Sequence, residues 1–189
     1  MLAAAEVSRD AVPGVTMDVQ VNAEVGIRNM TDADLVSVVE IVNREITESP
    51  YVWGEVPVTV DARREWLARH HDLGQPAIVA ETAGDGRVLG WASLSTFRPA
   101  SGYRFTLEAS VYVARDAQRR GIGRALVTRL HDRAGSTGVH AIVAVIDAEN
   151  TGSINLLRSL GYGEAGRLES IGRKFGAWRD EVFLLRRIG

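Results

Sequence analysis

Two features of this sequence could do chemistry, and they flank the end of one strand-like segment. The first is the run Gln118-Arg119-Arg120-Gly121-Ile122-Gly123-Arg124. Glycine has no side chain, so at Gly121 and Gly123 a phosphate oxygen can approach the backbone closely while the chain turns into a helix. Ile122, Ala125, Leu126, Leu130 and Ala134 announce that helix by recurring on one apolar face. Its first N–H groups lack intrahelical partners and carry the positive end of the macrodipole, so an anion there satisfies donors that would otherwise need water. Arg119, Arg120 and Arg124 add fixed positive charge at the same point. The run predicts a cradle for a pyrophosphate.

The second feature is Glu108. Phe105, Leu107, Ala109, Val111 and Val113 alternate with Thr106, Glu108, Ser110 and Tyr112, which sets a glutamate in the middle of a strand. Glutamate is depleted in strands and rarely buried without a partner. Desolvation would raise its pKa toward the range in which a carboxylate takes a proton from an ammonium. A structural ion pair with Arg98 or Arg104 is the competing reading.

Other glycine loops fit the run less well. A Walker loop needs Lys-Ser/Thr after its second glycine, where Arg124-Ala125 stand, and a dinucleotide fingerprint needs a glycine or alanine where Leu126 stands. The chain has no cysteine, which excludes disulfides, thiolate metal sites and a cysteine nucleophile. His70-His71, His131 and His140 show no ligand spacing, so no metal is expected; His70-His71 should end a helix, where imidazolium suits the dipole.

The elements that must position these groups are legible from periodicity and punctuation. Residues 24–28 read as a strand, and Thr31-Asp32-Ala33-Asp34 as a cap before a helix carried by Leu35, Val38, Val39 and Val42. A proline-punctuated loop over residues 49–59 precedes a charged helix over 61–71. Residues 77–82 and 88–97 form a hairpin around Gly84-Asp85-Gly86, and residues 104–113 form the strand that carries Glu108. After the glycine-started helix, which runs to about Thr137, come an apolar strand over 141–147 and a short helix over 150–160 ending at Gly161. Strands over 167–174 and 180–187 then close the chain.

Bulk properties narrow the class. With 189 residues, 46% hydrophobic and 24% charged, the chain suits one ordinary globular domain. A formal charge of −2 gives no footprint for nucleic acid or an anionic membrane, so the arginines near the loop are better explained by a phosphorylated ligand. No stretch approaches the ~20 apolar residues of a membrane span. Residues 1–23 lack the pattern of a signal peptide and are expected to be a disordered extension of a cytoplasmic domain over 24–189.

The order of one strand, two helices, three strands, helix, strand, helix and two strands, with Gln/Arg-x-x-Gly-x-Gly between strand and helix, resembles the GNAT N-acetyltransferase superfamily. Within it the chain is similar to the phosphinothricin and methionine sulfoximine acetyltransferase branch. The residues carrying this are Pro57-Val58-Thr59 with Arg63 and Trp66, Phe97-Arg98-Pro99, Tyr103-Arg104, Thr106-Leu107-Glu108, Ser110-Val111-Tyr112-Val113, Ile146-Asp147-Ala148-Glu149-Asn150, and Gly172 with Lys174-Phe175-Gly176, Trp178 and Asp180.

The resemblance implies an α/β (α+β) GNAT fold, with a mixed central sheet of about seven strands flanked by helices. It implies an enzyme with acetyl-CoA as co-substrate, acetylating the amine of a small amino-acid-like molecule by direct transfer, with Glu108 as base. Val111, Tyr112 and Val113 then offer backbone to the pantetheine, besides packing the core, and residues 118–124 hold the pyrophosphate. Asn150, with Ser153 nearby, would bond the pantetheine, although an asparagine before a helix is also simply a cap. Trp53, Arg98, Tyr103 and Arg104 are the candidate acceptor contacts, and Tyr112 another wall of that pocket; aromatics in the core and solvated arginines are their plainer roles. Leu157 stands where many relatives carry Tyr or His to protonate the leaving thiolate. A homodimer is also implied, with Tyr51, Trp53, Phe175 and Trp178 near its interface. Peptide amine acetylation and an acetyl-CoA-binding module without turnover are the rival functions.

Overall fold

The computed structural model describes residues 24–188, and the extension expected before residue 24 lies outside them. The elements run β1 (Val25–Asn29), α1 (Leu35–Glu48), α2 (Val60–Asp72), β2 (Ala77–Thr82), β3 (Val88–Thr96), β4 (Thr106–Val113), α3 (Ile122–Gly135), β5 (Ala141–Asp147), α4 (Thr151–Arg158), β6 (Gly163–Lys174) and β7 (Ala177–Arg187). This is the expected order. The strands form one seven-stranded sheet in the order β1-β2-β3-β4-β5-β7-β6. Among the described residues no helix is long and apolar enough to cross a membrane.

Alternation divides each central strand between two cores. Leu107 of β4 joins Leu126 and Leu130 of α3, Leu157 of α4 and Leu184 of β7 behind the sheet, with Ala109, Val111 and Val113 against them. In front, Val38 and Val42 of α1 and Leu67 of α2 pack on Val79 and Trp91, with Tyr112 at the edge of that cluster. Glu108, Ser110 and Tyr112 therefore belong to the front face. The start of α1 is fixed by Asp34, whose carboxylate accepts from Thr31 N (2.7 Å) and from two nitrogens of Arg28 (2.7 Å each).

The topology creates its opening at the one parallel pairing among the described residues, β4 with β5. That ladder holds just Thr106, Leu107 and Glu108 against Ala141, Ile142 and Val143, and beyond it the two strands have no register with each other. The β5 side of β4 over residues 109–113 is thus an unpaired edge inside the sheet.

Three expectations need correction. The strand expected over 104–113 begins at Thr106, because Ser101–Tyr103 is a 3-10 turn that Arg104 closes by donating its N–H to Ser101 O (3.2 Å). The final pair is longer than expected: β6 is an edge strand, exposed over residues 163–171, so no face of it had to be apolar. Phe175 and Gly176 turn it into β7 with φ of 48° and 81°, the left-handed pair that a two-residue hairpin needs. Finally, His70 is buried, with Nδ1 on Trp66 O and Nε2 on Ser95 Oγ (2.9 Å each). Desolvation there lowers its pKa, which favours the neutral ring, so His70 ties α2 to β3 rather than offering an imidazolium to the helix dipole.

Candidate active site

Where β4 and β5 part, a cleft of about 1030 Å³ opens. Residues 108–113 form one wall, residues 144–147 the other, and the start of α3 with α4 closes one end. Its lining includes Gln118, Arg119, Gly121, Ile122, Gly123 and Arg124 from the glycine run, together with Glu108, Asn150 and Ser153. The fold thus brings to one space the two features that the sequence singles out. Arg120 is exposed and does not line the cleft.

The glycine end is built for an anion. Arg119 and Gly121 both have left-handed φ, 62° and 83°, which directs successive N–H groups inward as a nest. The first helical bond here is Ala125 N to Gly121 O (3.1 Å), and the N–H groups of residues 119–124 find no acceptor among the described residues. Gln118 Nε2 donates to Val113 O (3.2 Å), which fixes the turn to the end of β4. A β-carbon on Gly123 would stand 3.1 Å from Leu156 and 3.7 Å from Val113, so the glycine lets α3 begin against α4. Arg124 joins the same two helices through Ser159 Oγ (2.8 Å). These residues fit a pyrophosphate.

At the other end stands Glu108. It makes no hydrogen bond or ion pair among the described residues, and burial raises its pKa, helped by Glu181 and opposed by Arg98. The structural pair with Arg98 or Arg104, the competing reading of this residue, does not form. Arg98 lies over the Phe97 ring (5.1 Å), and Arg104 lies over Phe105 (4.3 Å) while donating to Ser101 O. Tyr103 packs edge-on against Phe97 and is exposed. None of the three lines the cleft, although Arg98 is close enough to act on Glu108.

Asn150 is the N-cap of α4, its Oδ1 accepting from Ser153 N (3.1 Å), which leaves its amide nitrogen free toward the cleft. Leu157 borders the cleft but is only 5% exposed in the rear core, and it offers no proton. Tyr112 stacks on Trp91 (4.7 Å), and Arg63 lies over Trp91 (5.0 Å) and Trp66 (4.6 Å). Burial raises the Tyr112 pKa and lowers that of Arg63, so both polar groups are held in a low-dielectric setting.

Residues 49–59 form a strap whose anchors the sequence reading left out. Trp53 donates Nε1 to Asp147 Oδ2 (2.9 Å) and lies against Gly172, where a β-carbon would meet its ring at 2.3 Å. Arg179 holds the same carboxylate through two nitrogens (2.7 and 2.8 Å), and buried Lys174 donates to the carbonyls of Ile46 (2.6 Å) and Gly54 (2.5 Å). Tyr51 and Val52 of the strap line the cleft, whereas Trp53 braces it from behind. A signal was present: Asp147 ends an apolar strand, and a carboxylate so placed needs a cation somewhere.

The model of the acetyltransferase (GNAT) family matches residues 38–162. The L-methionine sulfoximine/L-methionine sulfone acetyltransferase of Pseudomonas aeruginosa is 39% identical over 158 residues, covering 84% of this chain and 91% of that protein. The phosphinothricin N-acetyltransferase of Alcaligenes faecalis is 39% identical over 85% of this chain and 81% of its own. A Salmonella typhimurium acetyltransferase solved with its cofactor acetyl-CoA superposes with a TM-score of 0.84 at 36% identity, over 87% of this chain and 94% of that one.

Proposed function

The chain belongs to the GNAT acetyltransferase family, with acetyl-CoA as its co-substrate, and from that premise we propose that it acetylates the amine of a small amino-acid-like acceptor by direct transfer, with Glu108 as base. The observation that carries this reading is the unpaired Glu108 at the last register position of the parallel ladder, where the cleft begins.

When bound, the co-substrate supplies an activated acyl thioester. The free N–H groups of residues 119–124 hold its pyrophosphate, and the unpaired edge of β4, with Val111, Tyr112 and Val113, holds the amides of the arm as a further strand would. An N–H on that edge donates to the acyl oxygen as negative charge grows on it. The Asn150 amide adds a donor, with Ser153 beside it. Glu108 takes the proton of the acceptor ammonium, so that the amine nitrogen can form its bond to the acyl carbon as the carbon–sulfur bond breaks. Because Leu157 has no proton to give, the departing thiolate takes the proton that the acylated nitrogen sheds, directly or through water; at an ordinary thiol pKa of about 8.5 it leaves without a dedicated acid.

For the acceptor, Tyr51, Val52 and Tyr112 form the wall on one side, and Arg98 is the cation near enough to Glu108 to meet a carboxylate. Trp53 supports that wall from the strap rather than contacting the acceptor, while Tyr103 and Arg104 pack on Phe97 and Phe105 outside the cleft. The test is release of free thiol from acetyl-CoA with a panel of amino acids, methionine sulfone and phosphinothricin among them. Turnover of peptide N-termini but of no free amino acid would move the function to the peptide class, and binding of acetyl-CoA without any turnover would leave a sensor.

A homodimer and a cytoplasmic location belong to the same reading. Phe175 and Trp178 are 61% and 66% exposed at the β6–β7 tip, and Tyr51 of the strap is 40% exposed. Trp178 therefore does not complete the monomer's core. Light scattering should give twice the protomer mass, and Phe175→Ala with Trp178→Ala should shift it toward the monomer; a monomeric wild type would refute the dimer. Fractionation of expressing cells tests the location.

A further inference from the structure

The front face of the sheet continues past Glu108 into a second pocket of about 330 Å³, floored by Val143, Phe183 and Leu185, flanked by Phe97 and Leu168, with Arg167 on its rim. Val143 is the register partner of Glu108, so this apolar trough begins beside the proposed base. Glu181 stands between the two spaces. Its partners across the sheet are Asp147, which lines the large cleft, and Leu168, which lines the small pocket. On β7, Val182 and Leu184 enter the rear core, so Glu181 shares the front face with Phe183 and Glu108.

Apart from Arg98, which the acceptor reading gives to the substrate carboxylate, the other charges of this region are spoken for. Arg179 holds Asp147 and Glu149, Arg167 holds Asp180, and Lys174 is spent on two backbone carbonyls. Glu181 has no hydrogen bond and no ion pair among the described residues, although it is half-buried. Burial alone pushes its pKa up, and its charge in turn helps to raise that of Glu108. A carboxylate so placed destabilises the fold and repels its neighbour, and no structural contact offsets this. Its remaining use is toward what enters the trough.

We propose that Glu181 is a charge filter for the acceptor: with the α-amine at Glu108, the side chain lies along the trough and its far end meets Glu181, so neutral distal groups are accepted and anionic ones rejected. The inference rests on the acceptor reading above. Like charges at such a range in a partly buried site discriminate by roughly 10- to 100-fold.

The test compares kcat/KM for L-methionine sulfone, whose far end is neutral, with that for phosphinothricin, whose far end is an anionic phosphinate. Wild type should prefer the sulfone. Glu181→Gln and Glu181→Met should each raise the phosphinothricin-to-sulfone ratio of kcat/KM by roughly 10- to 100-fold, a ratio in which any change that losing Glu181 makes to the base Glu108 cancels. Methionine suits a position beside Leu168 and Phe183, so it serves if the glutamine variant fails to fold. An unchanged preference in the folded variants, or a wild type indifferent to the two acceptors, overturns the filter and leaves the acceptor reading standing. Turnover of neither amino acid overturns that reading and this inference together.

Discussion

Glu108→Gln is expected to lower kcat by about 10²-fold near neutral pH while acetyl-CoA binds as before, because the amide keeps the shape of the carboxylate and loses its ability to take a proton. The pH profile separates this from a structural defect. Glu108 sits in a site that raises its pKa, by burial first and by Glu181 second, so the base is ionised only above a pH higher than the ordinary carboxylate range. The rate should therefore fall with acidification on a limb displaced upward from that range, and the limb should vanish in the variant. Stability should move the other way. A group whose folded pKa is raised favours folding below its unfolded pKa, and that contribution is lost as pH rises through the folded pKa. Once ionised, Glu108 is thus a burden on the fold, and above its folded pKa the glutamine variant should melt at the same temperature or higher. A variant that keeps wild-type rates would hand the proton to water or another residue, and one that melts well below wild type would mark Glu108 as a structural group.

The contrast between Glu108 and its surroundings shows what a sequence can carry. Local features were legible: the glycine run, the alternation of β4 and the Asn150 cap each depend on residues a few positions apart, and the structure realises them within a residue or two. The family resemblance supplied the topology that joins them. What stayed hidden depends on pairs far apart in the chain. Trp53 with Asp147, and Lys174 with the carbonyl of Ile46, are separated by 94 and 128 positions. No periodicity encodes such a meeting, and an aromatic in a loop or a lysine before a turn reads as surface until its partner is known. The length of β6 was illegible for a different reason. An edge strand with both faces open has no buried face to impose a two-residue period. The buried neutrality of His70 likewise follows from Ser95 and Trp66 closing over it, not from its place near a helix end.

The glycine run yields the other large effect. Gly121→Val should weaken acetyl-CoA binding by on the order of 100-fold or abolish it, as read by calorimetry, because two demands meet at that residue. Its φ of 83° is a region where an L-residue costs roughly 1–2 kcal/mol, so a β-branched side chain drives the turn out of the nest geometry. Once the turn rearranges, the N–H groups of residues 119–124 no longer converge, and the anion loses its donors together. Gly123→Leu reaches the same end by a different route. Its backbone is unstrained, but the added side chain meets Leu156 and Val113, so α3 must move away from α4 and carry the nest with it. Gly123→Ala is the milder case, since the contact at 3.1 Å is with the far end of a flexible leucine that can yield by a few tenths of an ångström. The graded series distinguishes a cradle from a plain turn: loss of the acetyl-CoA-induced rise in melting temperature should follow the order Gly123→Ala, Gly123→Leu, Gly121→Val, with the ligand-free proteins still folded. Unchanged affinity in Gly121→Val would sink the cradle, because no phosphate could then be resting on those N–H groups.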